Sequence, residues 1–257
     1  MTSMLGDQIR QWRQHRRMSQ MALALEAEMS TRHLSFIETG RSQPSREMVL
    51  RLAETLDLPL RGRNALLLAA GYAPLHAERP LDDPQLAAAR CAIELMLTRH
   101  EPYPALAIDR QWTLIAANAA VSRLIGAAAP HLLAPPVNVL RLSLHPEGLA
   151  PAIRNLGEWR GHLLERLRRQ IAATADPALV ALLGELSAYP TREGAGMTDA
   201  LAGVVVPLHL STPAGDLAFI SATTVFGTPL DVTLDELAIE AFYPADERTD
   251  EWLRTTG

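Results

Sequence analysis

The sequence predicts an α+β protein, in which an all-α N-terminal domain precedes a domain that combines helices with a five-stranded antiparallel sheet. Apolar residues recur at helical spacing through residues 5–70, with short polar connections. Two pairs of β-prone runs, each joined by a short turn, lie in residues 104–118 and 204–226. The expected parts are an all-α domain over 1–72, a linker and connecting helix over 73–101, and the mixed domain over 102–257.

The composition is that of a soluble globular protein, with 48% hydrophobic and 21% charged residues. We find no uncharged apolar run long enough to cross a membrane, and the N-terminus is too polar for a secretory signal. Cys91 is the only cysteine, which excludes an intrachain disulfide and a cysteine-rich zinc site. We therefore expect a cytoplasmic protein that does not associate with membranes.

Charge is distributed unevenly along the chain. Residues 1–72 contain ten arginines and seven acids, a net charge of +3, whereas residues 73–257 contain fourteen arginines and twenty-two acids, a net charge of −8. A basic part beside an acidic one suits a domain that approaches a polyanion such as DNA. Every basic residue apart from histidine is arginine, which is more typical of coding bias than of function.

The first helix is predicted from the helical spacing of Leu5, Ile9 and Trp12. Three later helices each follow a serine that can cap them. These serines are Ser19, Ser30 and Ser45. Gly40 follows the third helix, at the position where a left-handed residue usually ends one. A fifth helix is expected over residues 61–70.

Residues 19–28 and 31–39 supply the two helices of a helix-turn-helix, joined by the turn at Met29 and Ser30. Such a motif needs a first helix that braces the phosphate backbone and a second that lies in the major groove. The apolar residues expected to hold the two helices together are Ala22, Leu25, Leu34 and Ile37.

The second of these helices carries side chains suited to reading bases. Arg32 can donate two hydrogen bonds to guanine, and Phe36 can contact a thymine methyl group. Other polar residues nearby are expected to contact phosphates, which contribute affinity rather than sequence preference. The expected DNA-binding residues are Arg10, Ser19, Gln20, Ser30, Thr31, Arg32, His33, Ser35, Phe36 and Arg41. The alternatives are that Phe36 belongs to the core, that Arg32 is only a solvated residue, and that the helices form a protein-interaction module.

The run from Ser19 to Leu60, SQMALALEAEMSTRHLSFIETGRSQPSREMVLRLAETLDLPL, resembles the XRE family of regulators, which includes the lambdoid phage repressors. The resemblance covers about residues 5–71. It implies a lambda-repressor-like five-helix fold that binds a double-stranded DNA operator. It also implies a structural ion pair between Arg13 of the first helix and Glu38 of the third.

The rest of the chain is expected to alternate between helices and hairpins. A helix over 84–100 precedes a hairpin, a mostly helical stretch over 118–200 includes an amphipathic run over 159–171, and a second hairpin pairs 204–211 with 217–226. Residues 232–243 are ambiguous. Thr233 and Glu236 fit a helical capping box, whereas the alternation from Leu237 to Tyr243 fits a strand. We favour a fifth strand, because the two hairpins would gain a partner that covers their exposed edges.

This order of elements matches a PAS-type domain. Several phrases, among them PYPALAIDRQWTLIAAN and TTVFGTPLDVTLDELAIEAFYPAD, resemble XRE regulators with an MmyB-like ligand-binding domain. The resemblance spans residues 5 to about 250. It implies a PAS-like sensor for a small lipophilic ligand such as a fatty acid.

A site for such a ligand needs an apolar wall and one or two polar groups for the ligand's head group. The expected wall residues are Trp112, Leu114, Trp159, Leu163 and Phe219. The expected head-group residues are Asn118, Arg141, His145, Arg160 and His162. The alternatives are that the wall residues are ordinary core, that Asn118 caps a helix and that His145 orders a turn. The run Arg166–Arg169 is interpreted as a solvated helix face, with contacts to acids of a partner subunit as the alternative.

No catalytic motif is evident in the sequence. Nucleophile-elbow, phosphate-loop and HExxH motifs are missing, and the histidines at 131, 145, 162 and 209 lack the spacing of metal ligands. We therefore expect neither an enzyme nor a metal or cofactor site beyond a bound lipophile. The expected assembly is a homodimer, with Ile93, Met96 and Leu97 contributing to the subunit interface. The alternatives are a ligand-free regulator whose second domain only dimerises or binds a protein, and a DNA-tethered enzyme.

Overall fold

A computed structural model describes residues 4–190, 206–213 and 215–256. The chain divides into two compact units. The first groups Met1–Glu78 with Arg169–Pro177 and Leu230–Val232, and the second groups Arg79–Arg168 with Ala178–Pro229 and Thr233–Gly257. None of the described helices is both long and apolar enough to cross a membrane.

The N-terminal part of the first unit consists of five short helices. They are α1 (Met4–His15), α2 (Gln20–Glu26), α3 (Thr31–Glu38), α4 (Arg46–Thr55) and α5 (Leu60–Ala69). The predicted caps of α2, α3 and α4 are confirmed, because the Ser19, Ser30 and Ser45 hydroxyl oxygens accept hydrogen bonds from backbone N–H groups of Ala22, His33 and Met48. Gly40 follows α3 with φ of 72°, a left-handed conformation that glycine adopts without steric cost.

Helices α1 to α5 enclose an apolar core. Leu23, Leu34 and Ile37 are fully buried in it and join α2 to α3. The prediction that Leu25 would hold these helices together is wrong, because this side chain is 78% exposed. On α2 the buried positions are the adjacent Leu23 and Ala24, so Leu25 falls on the outer face of the helix.

Eight further α-helices follow along the described part of the chain. These are α6 (Ala87–Arg99), α7 (Ala119–Ile125), α8 (Pro130–Leu133), α9 (Val139–Leu144), α10 (Leu156–Thr174), α11 (Pro177–Ala188), α12 (Val232–Asp235) and α13 (Glu247–Thr256). Single 3₁₀ turns occur at Pro84–Leu86 and Ala150–Ala152. The predicted helical stretch over 118–200 also includes residues 191–200, which lie outside the described residues.

Five antiparallel strands form one sheet, as the sequence predicts. They are β1 (Ala105–Ile108), β2 (Leu114–Ala117), β3 (Leu208–Thr212), β4 (Gly215–Val225) and β5 (Ala238–Pro244), arranged in the order β2-β1-β5-β4-β3. Two hairpins, β1–β2 and β3–β4, are therefore joined by β5. Residues 204 and 205, predicted to begin the second hairpin, lie outside the described residues.

The ambiguous segment over 232–243 contains both of the predicted structures. It forms the single helical turn α12 and then β5. Thr233 does not cap α12 but lies within it, and its hydroxyl donates a hydrogen bond to the backbone carbonyl of Arg79. The expected fifth, edge-covering strand is confirmed, because β5 pairs with both β1 and β4 and so covers one edge of each hairpin, at the centre of the sheet.

Helix α6 packs its apolar face inside its own domain. Ile93 and Leu97 are buried in a cluster with residues of β1 and β5. The prediction that they contribute to a subunit interface is therefore wrong, since that surface is already covered within the chain. Met96 and its neighbour Leu95 are exposed.

Candidate DNA-binding surface and apolar cavity

Helix α3 presents one face to solvent and the other to the core. Thr31 and Arg32 are exposed at its first turn, while Leu34 and Ile37 are fully buried. The Arg32 guanidinium lies 5.3 Å from the centre of the Phe36 ring, a cation–π distance. Phe36 is half-buried, so its ring borders the exposed face instead of filling the core. This surface can offer a guanidinium fork, a hydroxyl and an aromatic edge to a base pair.

The neighbouring polar residues divide into two groups. The hydroxyl oxygens of Ser19 and Ser30 accept backbone hydrogen bonds as helix caps, and Nε2 of His33 lies 3.5 Å from Oγ of Ser42. Ser35 is half-buried on α3, and Arg41 is exposed just after this helix. The exposed Arg41 side chain is therefore accessible to a phosphate. Ser19 and Ser30 already serve as helix caps.

The Glu38 carboxylate organises the buried side of α3. Nε and Nη2 of Arg13 donate to its Oε1 and Oε2 at 2.8 and 3.0 Å, which confirms the predicted ion pair. Gln20 donates to the same carboxylate at 2.8 Å, and Arg10 donates to the Glu38 backbone carbonyl at 3.2 Å. In this structure Arg10 and Gln20 are therefore turned towards Glu38, and their predicted phosphate contacts remain untested.

The pKa of Glu38 reflects two opposing effects. Burial of the carboxylate alone would raise it, because the charged form loses hydration. Hydrogen bonds from Arg13 and Gln20, together with the charges of Arg13 and Arg10, outweigh that effect and lower the pKa below its ordinary value. Glu38 is thus held as a carboxylate that fixes α1 and α2 to α3.

The second domain contains an apolar cavity of about 100 Å³ on one face of the sheet. Its lining residues come from the strands, from the helices α7, α9 and α10, and from adjoining loops. They are Pro104, Leu106, Trp112, Leu114, Val121, Leu124, Ile125, Val139, Leu140, Leu142, Ser143, Leu149, Trp159, Leu163, Arg166, Leu208, Leu210, Phe219, Glu240 and Phe242. Such a wall suits an apolar ligand with a small polar end.

All five predicted wall residues line this cavity, namely Trp112, Leu114, Trp159, Leu163 and Phe219. The Trp159 indole N–H is satisfied by Oγ of Ser143, to which it donates at 3.0 Å. The ring is thereby fixed with its apolar surface against the cavity. Whether these residues contact a ligand remains a prediction.

The predicted head-group residues do not line the cavity. Asn118 is buried elsewhere, where its side-chain oxygen accepts from the N–H of Ala105 and its amide donates to the carbonyls of Leu97 and Tyr103. It occupies the cap position of α7 but makes no side-chain capping bond. Its side chain therefore cross-links the end of α6 to β1, and its predicted role in ligand binding finds no support in the lining of the cavity.

Arg141 forms an exposed ion pair instead of facing the cavity. Its guanidinium donates to both oxygens of Glu185 at 2.8 and 2.7 Å, and the hydrogen bond from Arg141 is the main cause that lowers the pKa of Glu185. Tyr189 donates to the same carboxylate. Burial and then this hydrogen bond raise the pKa of Tyr189 to about 12.

The other predicted head-group residues also lie outside the cavity lining. Arg160 donates to the carbonyls of Leu186 and Ser187 near the end of α11, and His162 stacks against the Trp159 ring at 5.6 Å. Nδ1 of His145 accepts from the Glu147 N–H at 3.1 Å, which fits the alternative that it orders a turn.

His145 is closer to another histidine than its sequence spacing suggested. His131, His145 and Glu147 each offer a ligand atom, and these atoms lie within 4.8 Å of one another. His131 and Glu147 are exposed, and Nδ1 of His145 already accepts a backbone hydrogen bond. His131 and His145, whose sequence spacing is not that of metal ligands, therefore lie close together in space, in a cluster that is open to solvent.

The charged residues that do reach the cavity are Arg166 of α10 and Glu240 of β5. The sequence interpretation of Arg166 as a solvated residue is wrong. It follows Trp159 and Leu163 by seven and three positions, so helical periodicity places all three on one face. Glu240 was missed because alternation along β5 assigns it to the face opposite Ile239 and Ala241, which a sequence reading takes as the solvent face. The strand is central and is covered on both faces, so Glu240 faces the cavity.

Two known families match this chain, one over its N-terminal helices and the other over the part that contains the cavity. Residues 89–255, well over half of the chain, match the family described as the MmyB-like transcription regulator ligand binding domain. The chain belongs to this family. Residues 4–66 match a helix-turn-helix domain. The protein is thus a transcription regulator that joins a DNA-binding domain to an MmyB-like ligand-binding domain.

Every residue that lines the cavity falls within the MmyB-like domain, and α3 falls within the helix-turn-helix match. No curated protein matches the chain. Among solved structures, an RNA-binding light-oxygen-voltage receptor is 13% identical with a TM-score of 0.26. That match covers 97% of this chain and 62% of the receptor, so the chain spans less than two thirds of its length.

Proposed function

We propose that this MmyB-like regulator binds a double-stranded operator as a homodimer and that a small lipophilic, fatty-acid-like molecule in the cavity changes its affinity for DNA. The observation that carries the ligand half of this proposal is the apolar cavity, whose wall contains the five predicted residues. The competing function, a ligand-free regulator, calls for a filled core at this place. The cavity therefore favours the ligand-binding alternative.

The DNA half of the proposal assigns base contacts to the exposed face of α3. Thr31 and Arg32 are open to solvent on a helix whose other face is fixed by Glu38 and the apolar core. In a dimer, two such helices would enter major grooves about 34 Å apart, one turn of DNA. Arg41 would add a phosphate contact beside each recognition helix.

A ligand can change operator affinity only if it binds the DNA-competent and DNA-incompetent arrangements with different affinities. The predicted coupling is therefore a difference in operator Kd between the empty and the occupied protein. A typical allosteric coupling free energy of about 1–3 kcal/mol corresponds to a change in Kd of roughly 5- to 150-fold.

The test begins with DNA selected from a random library by the whole protein. Operator Kd would then be measured by fluorescence anisotropy with and without hexanoate and hexan-1-ol. We expect at least one of these lipophiles to change Kd in the wild type. Leu163→Phe, which fills the cavity, should abolish the change, whereas Val180→Phe on an exposed position should not.

Three results would count against the proposal. A lipophile effect that persists in Leu163→Phe would remove the cavity from the mechanism. Failure of both lipophiles to change Kd would favour the ligand-free alternative. Sedimentation of the DNA-bound protein as a monomer would contradict the dimer.

A further inference from the structure

The cavity in the MmyB-like domain has a polar end that carries no net charge. Arg166 donates to both carboxylate oxygens of Glu240, one of them at 3.2 Å. Thr223 donates to the same carboxylate at 2.9 Å and accepts from Arg166 at 3.0 Å. Among the described residues that line the cavity, Arg166 and Glu240 are the only ones with a charged side chain. Their charges cancel within one hydrogen-bonded cluster.

The carboxylate of the pair is buried, whereas its partners Arg166 and Thr223 lie nearer to solvent. The Glu240 side chain is 5% exposed and that of Arg166 is 20% exposed. The guanidinium also lies 4.9 Å from the centre of the Trp112 ring, which is itself part of the cavity wall. Charges in partly buried surroundings interact more strongly than in water, so a third charge placed beside the pair would be screened less than in solvent.

We propose that this cavity selects a compact lipophile with an uncharged hydrogen-bonding end, such as an alcohol, over the carboxylate of a fatty acid. A hydroxyl can donate to Glu240 and accept from Arg166 while the cluster stays neutral. A carboxylate would compete with Glu240 for the same guanidinium and leave one negative charge without a partner. An ammonium group would leave one uncompensated positive charge in the same way. The inference rests on the proposed ligand-binding function.

The size of the cavity supports a compact ligand. An engineered apolar cavity of roughly 150 Å³ binds benzene. This cavity, at about 100 Å³, is of that order and therefore suits a ring or a short alkyl chain.

The experiment compares three probes of one chain length, hexan-1-ol, hexanoate and hexylamine, at neutral pH. Their binding to the full chain would be measured by titration calorimetry, with the fluorescence of Trp112 and Trp159 in the cavity wall as a second signal. We expect hexan-1-ol to bind at least about tenfold more tightly than either charged probe, because only the alcohol keeps the cluster neutral.

Glu240→Gln tests the cause of this preference, since it removes the negative charge with little change in shape. Hexanoate should then bind at least as tightly as hexan-1-ol, because Arg166 is left without a carboxylate partner. The matched control is Glu165→Gln on the same helix as Arg166, where Glu165 makes an exposed ion pair with Arg168. It should keep the wild-type order of affinities.

The outcomes separate this inference from the proposed function. Tighter binding of hexanoate than of hexan-1-ol by the wild type would overturn the inference and leave a ligand-binding cavity in place. If none of the three probes bound to folded protein, both the inference and the ligand-binding function would fail. The wild-type comparison alone decides the inference even if Glu240→Gln does not fold.

Discussion

Arg13 of α1 and Glu38 of α3 form a two-point ion pair in which both carboxylate oxygens accept hydrogen bonds, at 2.8 and 3.0 Å. The Glu38 side chain is fully buried and that of Arg13 is 12% exposed. Arg13 also donates to the backbone carbonyl of Met18, just before α2. This one pair therefore joins the recognition helix to the rest of the helix-turn-helix domain.

The first prediction concerns the stability that depends on this pair. Arg13→Ala should lower the free energy of unfolding of the helix-turn-helix domain by about 3–5 kcal/mol, because the buried Glu38 carboxylate loses its two-point partner and keeps only Gln20 and the more distant Arg10, at 3.6 Å. Chemical denaturation followed by circular dichroism would measure the loss. Arg51→Ala is the matched control, since Arg51 pairs with Glu28 at the surface and its loss should cost at most about 1 kcal/mol. Equal effects of the two variants would contradict the assigned role of Arg13.

The second prediction is a pH dependence with a defined sign. The folded-state pKa of Glu38 is lowered from 4.5, so its contribution to stability is present above that value. The contribution is lost as the pH falls below 4.5 and passes through the lowered pKa of the folded state. The gap in unfolding free energy between the wild type and Glu38→Gln should therefore shrink on acidification. A gap that stays constant or widens between neutral pH and this acidic range would contradict the account.

The third prediction separates structure from ligand binding at Asn118. Asn118→Ala leaves the N–H of Ala105 and two carbonyls without their partner, which should cost about 1–3 kcal/mol of stability. Affinity for an apolar probe in the cavity should not change, because Asn118 does not line it. Thermal unfolding and titration with hexan-1-ol would measure the two properties. A loss of probe affinity with stability retained would restore the role expected from the sequence.

The fourth prediction concerns the close approach of α1 to α3. A β-carbon at Gly6 would lie 2.9 Å from the backbone carbonyl oxygen of Ile37 and nearer still to that of Glu38. Backbone cannot yield locally, so Gly6→Ala should destabilise the helix-turn-helix domain by about 1–3 kcal/mol. Gly161→Ala in α10 is the control, because open space surrounds that position and alanine is the better helix former. Thermal unfolding would compare the two variants. A lower stability of Gly161→Ala than of Gly6→Ala would contradict the close packing of α1 against α3.

Local signals predicted the helix-turn-helix well. Ser19, Ser30 and Ser45 each combine a capping residue with a following apolar period, and short-range hydrogen bonds decide such helix starts. Leu25 was misplaced because a helix of seven residues is too short for its periodicity to fix which face is buried. The position of β5 at the centre of the sheet depends on pairing between distant segments, which no local pattern encodes.

The sequence predicted the apolar wall of the cavity but not its polar end. Its aromatic and aliphatic wall follows from residues that strands and an amphipathic helix turn inward. Its polar end depends on a tertiary contact between residues 166 and 240, and a charged residue has no sequence signal that distinguishes a buried pair from a solvated one. The predicted head-group residues Arg141, Arg160 and His162 do not line the cavity, because each meets a partner elsewhere in the chain.

The most direct test of the central claim, that the exposed face of α3 reads DNA, is the operator affinity of Arg32→Ala. Fluorescence anisotropy on selected operator DNA should show a loss of about 1–3 kcal/mol and a weaker preference at one base position. Arg168→Ala removes an exposed arginine outside the helix-turn-helix domain and should leave Kd and sequence preference unchanged. Unchanged operator affinity and unchanged sequence preference in Arg32→Ala would contradict the claim.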